Sequence, residues 1–323
     1  MVKKNVPMFL LPFRHTGVYT SFFSIADKMK KNRKYVLSAV AALAVTGCCV
    51  LLPLAGCNRA ASLPSDGALR LVSTAPNLTE LVFAIGAGDC LVGRTDACDY
   101  PPDVARIPAV GGFATPRLEQ LLAVNPTHIL ECAVEDASVK NHLSTLGIPL
   151  VHIPCSRLGD IPEAILQIGE LTRREAQAQA LAERIRTGIA HARTANATHA
   201  APRPSVLLLF APDSPITTGT DTFVSDLLTL AGGDNAAADA GGKGYFRISL
   251  EWLLTRDPDL ILCLFDTQGK DPVSAFASRT GWQSLKAVRT GRVKTVADLD
   301  TVLRPGPRVL EGLEQLKACL EGG

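Results

Sequence analysis

The chain has 323 residues, 47% hydrophobic and 20% charged, with 21 Pro and 26 Gly, which excludes a disordered tail, a collagen and a coiled coil and leaves apolar material for a packed core. The net charge of +2 hides two unlike parts: residues 1–56 carry 8 Lys+Arg against 1 Asp, and residues 57–323 carry 25 basic against 30 acidic groups. The body is mildly acidic, so nucleic acid is not an expected partner.

Tyr35 to Gly56 is a run of 22 residues without a charge, preceded by Lys28, Lys30, Lys31, Arg33 and Lys34. A basic stretch, an apolar run and then small residues form the layout of an export signal. The run ends Leu54-Ala55-Gly56-Cys57, which resembles a bacterial lipobox, so Cys57 is the expected lipidation site and the first residue of the mature chain. A spanning anchor is the competing reading of a run this long. Nothing before Lys28 resembles a signal, which leaves Met1 and Met29 as alternative starts. Residues 1–56 read as an N-terminal extension with a signal peptide, and 57–67, polar with Pro and Ser, as a tether. The expected place is outside the cytoplasm, lipid-anchored on the extracytoplasmic (periplasmic) side of a membrane.

After the tether, short apolar strands alternate with amphipathic helices, the pattern of an α/β protein. Ala68 to Ser73 predicts a strand; Asn77, with Glu80 three residues on, predicts a capped helix ending at the Gly86–Gly88 cluster. Thr115-Pro116 predicts another helix start, ended by Asn125-Pro126. His128 to Glu131 follows as a strand, Glu135 to Leu146 as a helix and Pro149 to Ile153 as a strand. This first lobe covers residues 68–159. Residues 160–200 read as helix with a break near Thr172. Leu171, Ala178, Leu181, Ile185 and Ile189 give one apolar stripe, and the position between two similar halves makes this a linking spine. The second lobe covers residues 201–323.

The halves are visibly related. Leu118-Glu119-Gln120-Leu121-Leu122, then Pro126, Ile129 and Leu130, recurs as Leu250-Glu251-Trp252-Leu253-Leu254, then Pro258, Ile261 and Leu262, with seven identities at one offset of 132 residues. Two equivalent α/β lobes leave a cleft between them, where ligands bind by preference.

The body lacks GxSxG, HExxH, P-loop and GxGxxG motifs, so no catalytic residue is assigned and an enzyme is not expected. Gly241-Gly242-Lys243-Gly244 reads as a flexible loop. His128, His142 and His152 are scattered without ligand spacing, Asp96 and Asp99 have no nucleophile beside them, and neither a metal site nor a cofactor is assigned. Six cysteines remain in the body, Cys90, Cys98, Cys132, Cys155, Cys263 and Cys319; no CxxC occurs, Cys132 and Cys263 read as small buried hydrophobes, and no disulfide is assigned.

From Val72-Ser73-Thr74-Ala75-Pro76-Asn77-Leu78-Thr79-Glu80 onward the chain resembles the substrate-binding proteins of ABC importers for ferric siderophores, haem and cobalamin. The likeness continues through Val92 to Asp96, Asp99-Tyr100-Pro101-Pro102, Val110 to Phe113, Leu118-Glu119, Leu146 to Pro149, Gly219 to Gly233, Ser249-Leu250-Glu251 and Arg304-Pro305-Gly306-Pro307-Arg308, covering about residues 68–320. The resemblance implies two Rossmann-like α/β lobes joined by one long rigid helix, with the ligand cleft between them. It implies ligand contacts from Tyr100, Phe113, Tyr245, Phe246, Arg247 and Arg304, and permease docking through Glu119 and Glu251. It also implies a monomer that captures a metal chelate (cobalamin, haem or a ferric siderophore) and delivers it to a permease dimer with its ATPase. The scarcity of tryptophan, Trp252 and Trp282 alone, departs from an aromatic cobalamin clamp. A tethered redox protein or enzyme using the cysteines, and a ligand sensor, are the alternatives.

Overall fold

The computed structural model describes residues 68–134, 136–198, 202–267, 269 and 271–321. The expected export signal, Cys57 and the tether, 57–67, lie outside the described residues. In chain order the first half comprises β1 (Leu71–Ser73), α1 (Pro76–Ala84), β2 (Leu91–Gly93), β3 (Gly111–Gly112), β4 (Thr115–Pro116), α2 (Leu118–Ala123), β5 (His128–Glu131), α3 (Ala137–Thr145) and β6 (Leu150–His152). Helices α4 (Asp160–Thr172) and α5 (Glu175–Thr198) follow. The second half comprises β7 (Ser205–Leu209), β8 (Ile216–Thr218), α6 (Phe223–Ala231), β9 (Asp234–Asn235), β10 (Tyr245–Arg247), α7 (Leu250–Arg256), β11 (Leu260–Cys263), α8 (Pro272–Ala277), α9 (Lys286–Arg289), β12 (Val293–Thr295), α10 (Leu299–Leu303) and α11 (Val309–Glu321).

Each half folds into a four-stranded sheet, ordered β2-β1-β5-β6 in the first and β9-β7-β11-β12 in the second, with every pair parallel. The two orders match position for position. The repeated residues fall on equivalent elements, Leu118-Glu119 and Leu250-Glu251 opening α2 and α7, and Ile129-Leu130 and Ile261-Leu262 lying in the central strands β5 and β11.

Successive strand side chains point to opposite faces, and the packing follows. In β7 and β11, Val206, Leu208, Leu260 and Leu262 join one buried cluster, while Leu207, Leu209, Ile261 and Cys263 join another. In the first sheet Leu71 and Leu130 face the first cluster, and Val72 and Ile129 face a third with Leu121 and Leu143. The first cluster runs from Leu71 through Ile165 and Ile185 to Leu208, Leu262 and Leu313. The lobes therefore share one apolar core through the helices between them.

The break expected near Thr172 falls at Arg173, in the left-handed conformation at φ 56°. Helices α4 and α5 run antiparallel from there: Gly169 meets Ala178, and farther back Arg186 bonds Glu163 at 2.6 Å. The long arm is α5 alone, 24 residues or about 36 Å, beginning at Glu175. Ala178, Leu181, Ile185 and Ile189 are its buried stripe, with Leu171 half-buried on α4. At its far end the Asn196 Nδ2 donates to the Leu230 carbonyl at 2.5 Å, tying α5 to the second lobe.

Two local expectations are corrected. Thr115-Pro116 does not start a helix: it pairs with Gly111-Gly112 as the hairpin β3–β4, and α2 starts at Leu118. The turn between them, Phe113-Ala114, places Ala114 at φ 52°, and the Arg117 amide donates to the Val110 carbonyl at 2.8 Å, so the residues after the glycines are consumed in closing the hairpin. Asn77 is not the cap of α1, which starts at Pro76 after Ala75 with no side-chain cap. Asn77 donates instead to the Pro305 carbonyl at 3.3 Å, and Glu80 is drawn away by two arginines of the second lobe.

Candidate functional site: the cleft between two strand edges

Parallel strands in one sheet end at the same edge, and in α/β sheets ligands bind outside the carboxyl ends of the strands. In the first lobe these ends are Ser73, Gly93, Glu131 and His152, and in the second Leu209, Asn235, Cys263 and Thr295. Segments leaving these edges meet across the lobes. Asp99, after β2, accepts from Arg304 Nη1 at 2.8 Å, and Arg304 follows α10, after β12. Arg157, after β6, bonds Asp226 at the start of α6. The two carboxyl edges thus face each other.

The strongest linkage is centred on Glu80. Its side chain is 1% exposed, and it accepts from Arg304 Nη1 at 3.0 Å, Arg308 Nε at 2.9 Å and Arg308 Nη2 at 3.0 Å. Asp298 accepts from Arg308 Nη1 at 2.8 Å, and Asp300 lies 3.1 Å from Arg304 Nη2. Burial works against both guanidinium charges, yet the carboxylates outweigh it, and the pKa of each arginine stands above its ordinary value. Burial also raises the Asp300 carboxyl, opposed by Arg304. Arg304, expected as a ligand contact, is committed to three carboxylates and bridges the lobes.

The remaining expected contacts separate into two groups. Tyr100 is 43% exposed and carries the Arg308 guanidinium over its ring, 4.1 Å from the centroid. Phe113 sits in the β3–β4 turn, half-buried against the shared core, and the Ala114 amide donates to the Thr74 carbonyl beyond β1 at 3.1 Å. These two belong to the carboxyl edge of the first lobe.

On the second lobe β10 pairs antiparallel with β8, so Tyr245 and Arg247 share one face and Phe246 the other. Tyr245 packs on the shared core, with Phe210, just past β7, edge-on at 4.9 Å; burial pushes its hydroxyl up to about 12. The Phe246 ring lies against Gly242, where a β-carbon would strike it. Arg247 is exposed and, among the described residues, has no ion pair.

Glu119 and Glu251 are exposed in the first turns of α2 and α7. The Ser249 hydroxyl bonds the Glu251 carboxyl and holds it below the usual range, while also capping α7 by accepting from the Trp252 amide at 3.1 Å. Trp282 is buried in the second lobe, and Trp252 is half-buried with Arg256 over its ring. Sequence reasoning missed Glu80 and Arg308. The signal available was the one charged residue of an otherwise uncharged helix and a second arginine closing Arg304-Pro305-Gly306-Pro307-Arg308.

A depression of about 350 Å³ lies elsewhere, on the flank of α4 beside Pro154, Asp160, Glu163, Gln167 and Glu170. Two of its three carboxylates are engaged, Asp160 by the amides of Ser156 and Arg157 and Glu163 by Arg186. Among the described residues no group of three His, Cys, Asp or Glu side chains gathers as a metal site.

Residues 71–298 match the sequence profile of the family described as Periplasmic binding protein. The chain is 30% identical over 253 residues to an uncharacterised ABC transporter substrate-binding lipoprotein, YvrC, of Bacillus subtilis, covering 76% of this chain and 78% of that one. It is 29% identical to the vitamin B12-binding protein of Pectobacterium carotovorum, covering 83% and 92%. Among solved structures it is similar to the periplasmic haem-binding protein RhuT of Roseiflexus in its apo form, with a TM-score of 0.70, 27% identity, and coverage of 79% and 99%. A profile match over most of the described body, joined to two equivalent parallel sheets facing across a cleft, shows that the chain belongs to the periplasmic binding protein family.

Proposed function

We propose that the chain is the extracytoplasmic substrate-binding protein of an ABC importer, which captures a metal chelate of the cobalamin, haem or ferric-siderophore type and delivers it to the permease. The observation that supports this reading is the pair of facing strand edges, with Tyr100 and Phe113 at the edge of the first lobe and Arg247, exposed and without an ion pair among the described residues, on β10 of the second. Aromatic faces suit flat or macrocyclic chelates, and a free guanidinium suits a carboxylate on the ligand. The named activities of the similar proteins, vitamin B12 binding and haem binding, support the same class.

In this reading residues 68–159 and 201–323 are the lobes, 160–200 links them, and Cys57 anchors a monomer to the membrane. Ligand contacts come from Tyr100, Phe113, Tyr245, Phe246 and Arg247, with Arg304 acting behind them. Glu119 and Glu251 dock on the two equivalent permease subunits.

The described cysteines weigh against thiol chemistry. All six are unpaired, and burial pushes the Cys132 and Cys263 thiols up to about 12, leaving them protonated and unreactive at neutral pH. Tryptophan-fluorescence titration with haemin, cyanocobalamin and ferric siderophores, before and after thiol alkylation, tests the reading. One of these should bind with the same affinity in both states; binding abolished by alkylation, or none at all, would count against it.

A further inference from the structure

We propose that Arg308 is a positioning residue, which holds the Tyr100 ring as a wall of the cleft from the opposite lobe. The proposal rests on the reading of Tyr100 as a ligand contact. Arg308 is the turn residue just before α11 in the second lobe, whereas Tyr100 follows β2 of the first. Its guanidinium is fixed at all three nitrogens: Nε and Nη2 on the two oxygens of Glu80, and Nη1 on Asp298. With its edge so bonded, the flat face is left to stack, and the Tyr100 ring lies 4.1 Å from it.

The Arg308 side chain is 10% exposed, so the stacked cation is largely out of water, where attraction to a ring face is strongest. Tyr100 nevertheless keeps 43% of its surface exposed: one side is backed by Arg308 and the rest is open.

The neighbouring bond completes the holder. Asp99, the residue before Tyr100, is bonded by Arg304. Arg304 and Arg308 thus hold the same short segment, one at the carboxylate of the preceding residue and one at the ring, and both meet on Glu80. Pro305 and Pro307 between them restrict the backbone that sets their spacing. An exposed aromatic side chain left to itself samples several rotamers, and ordering it upon binding weakens affinity. Stacking on an already fixed plate supplies that order before the ligand arrives. A purely stabilising ion cluster has no need of the ring.

The test separates the two roles. The full chain is labelled with 3-fluorotyrosine, and its four tyrosines, Tyr19, Tyr35, Tyr100 and Tyr245, are assigned in the fluorine spectrum by Tyr→Phe variants. Arg308→Lys keeps a positive charge near Glu80 but removes the plate. Without any ligand, the Tyr100 signal should move and narrow while that of Tyr245 stays. If Arg308→Lys does not fold, the paired change Glu80→Gln with Arg308→Gln, which replaces both charges by amides, is measured instead. An unmoved Tyr100 signal overturns the proposal.

Affinity for haemin and for cyanocobalamin is then measured in Tyr100→Ala, Arg308→Lys and the double variant. For whichever probe the unaltered protein binds, each single change should weaken binding about two- to tenfold, and the double no further. Equal further loss on changing Arg308 in the Tyr100→Ala background overturns the positioning role. Unchanged affinity in Tyr100→Ala, with the fluorine shift still present, overturns instead the reading of Tyr100 as a ligand contact, and the proposal falls with it.

Discussion

Arg157 and Asp226 grip one another across the lobe boundary, Nε to Oδ2 at 2.7 Å and Nη2 to Oδ1 at 2.6 Å, and the Leu158 amide adds a third bond to the same carboxylate at 3.2 Å. With the Glu80 cluster and the Asn77–Pro305 bond this adds polar ties between lobes that already share an apolar core. The ties differ in their surroundings: the Arg157 side chain is half-exposed, whereas that of Glu80 is buried.

That difference predicts unequal costs. Glu80→Ala removes the one fully buried carboxylate from two inward-facing guanidiniums, leaving them only the partly exposed Asp99, Asp298 and Asp300, and should destabilise the protein by about 2–4 kcal/mol, toward the lower part of the range for a broken buried pair. Arg157→Ala removes a solvent-screened partner and should cost about 1 kcal/mol or less. Urea unfolding of the two variants side by side checks the ordering, and equal midpoints would contradict it.

The hairpin of α4 and α5 depends on one absent β-carbon. A β-carbon on Gly169 would collide with that of Ala178, so Gly169→Ala should destabilise by about 1–3 kcal/mol through overpacking. Adding Ala178→Gly should recover part of the loss, because it vacates the contested space. Thermal unfolding of the single and double variants measures the recovery.

The acid limb of stability has an identifiable contributor. Lys286 Nζ bonds Asp259 at 2.5 Å and, with the Ser205 amide at 2.9 Å, holds the Asp259 carboxyl below its ordinary range. A depressed folded-state pKa contributes stability that is present above the unfolded value and lost as pH falls through the folded one. Asp259→Asn should therefore be less stable than the unaltered protein at neutral pH. Its stability should also fall less steeply on acidification below about pH 4, as followed by urea midpoints across pH. Parallel slopes for both proteins would remove Asp259 from the account.

The permease-docking reading predicts a separation of phenotypes. Glu119 and Glu251 open equivalent helices, both exposed, and rim charges of this kind set orientation and encounter rate more than fold. Glu119→Gln with Glu251→Gln should leave unfolding and chelate affinity unchanged while uptake by cells collapses. Uptake at the unaltered rate would refute the docking role.

The duplicated architecture was legible because it rests on local signals. Leu118-Glu119 and Leu250-Glu251 share their spacing to Ile129-Leu130 and Ile261-Leu262, and the equivalent helices and central strands follow from it. Thr115-Pro116 misled because Gly111-Gly112 offered it a partner strand, and pairing across a turn overrode a local helix-start signal. Asn77 and Glu80 misled for a related reason: their partners, Pro305 with Arg304 and Arg308, lie more than two hundred residues away. Arg304 was visible as a residue near the cleft, but its commitment to Glu80, Asp99 and Asp300 depends on the lobes meeting, which no local pattern records. Tyr100 was identifiable from its motif, and the plate behind it was not.

Isothermal calorimetry on the unaltered protein, Tyr100→Ala and Tyr245→Ala, titrated with haemin, cyanocobalamin and ferric siderophores, tests the central claim most directly. The account predicts that one of these chelates binds the unaltered protein at one site per chain and that each substitution weakens it, by about 0.5–1.5 kcal/mol beyond lost contact area. A chelate that binds both variants with unaltered affinity, or the failure of all of them to bind the unaltered protein, would contradict a chelate site between the facing strand edges.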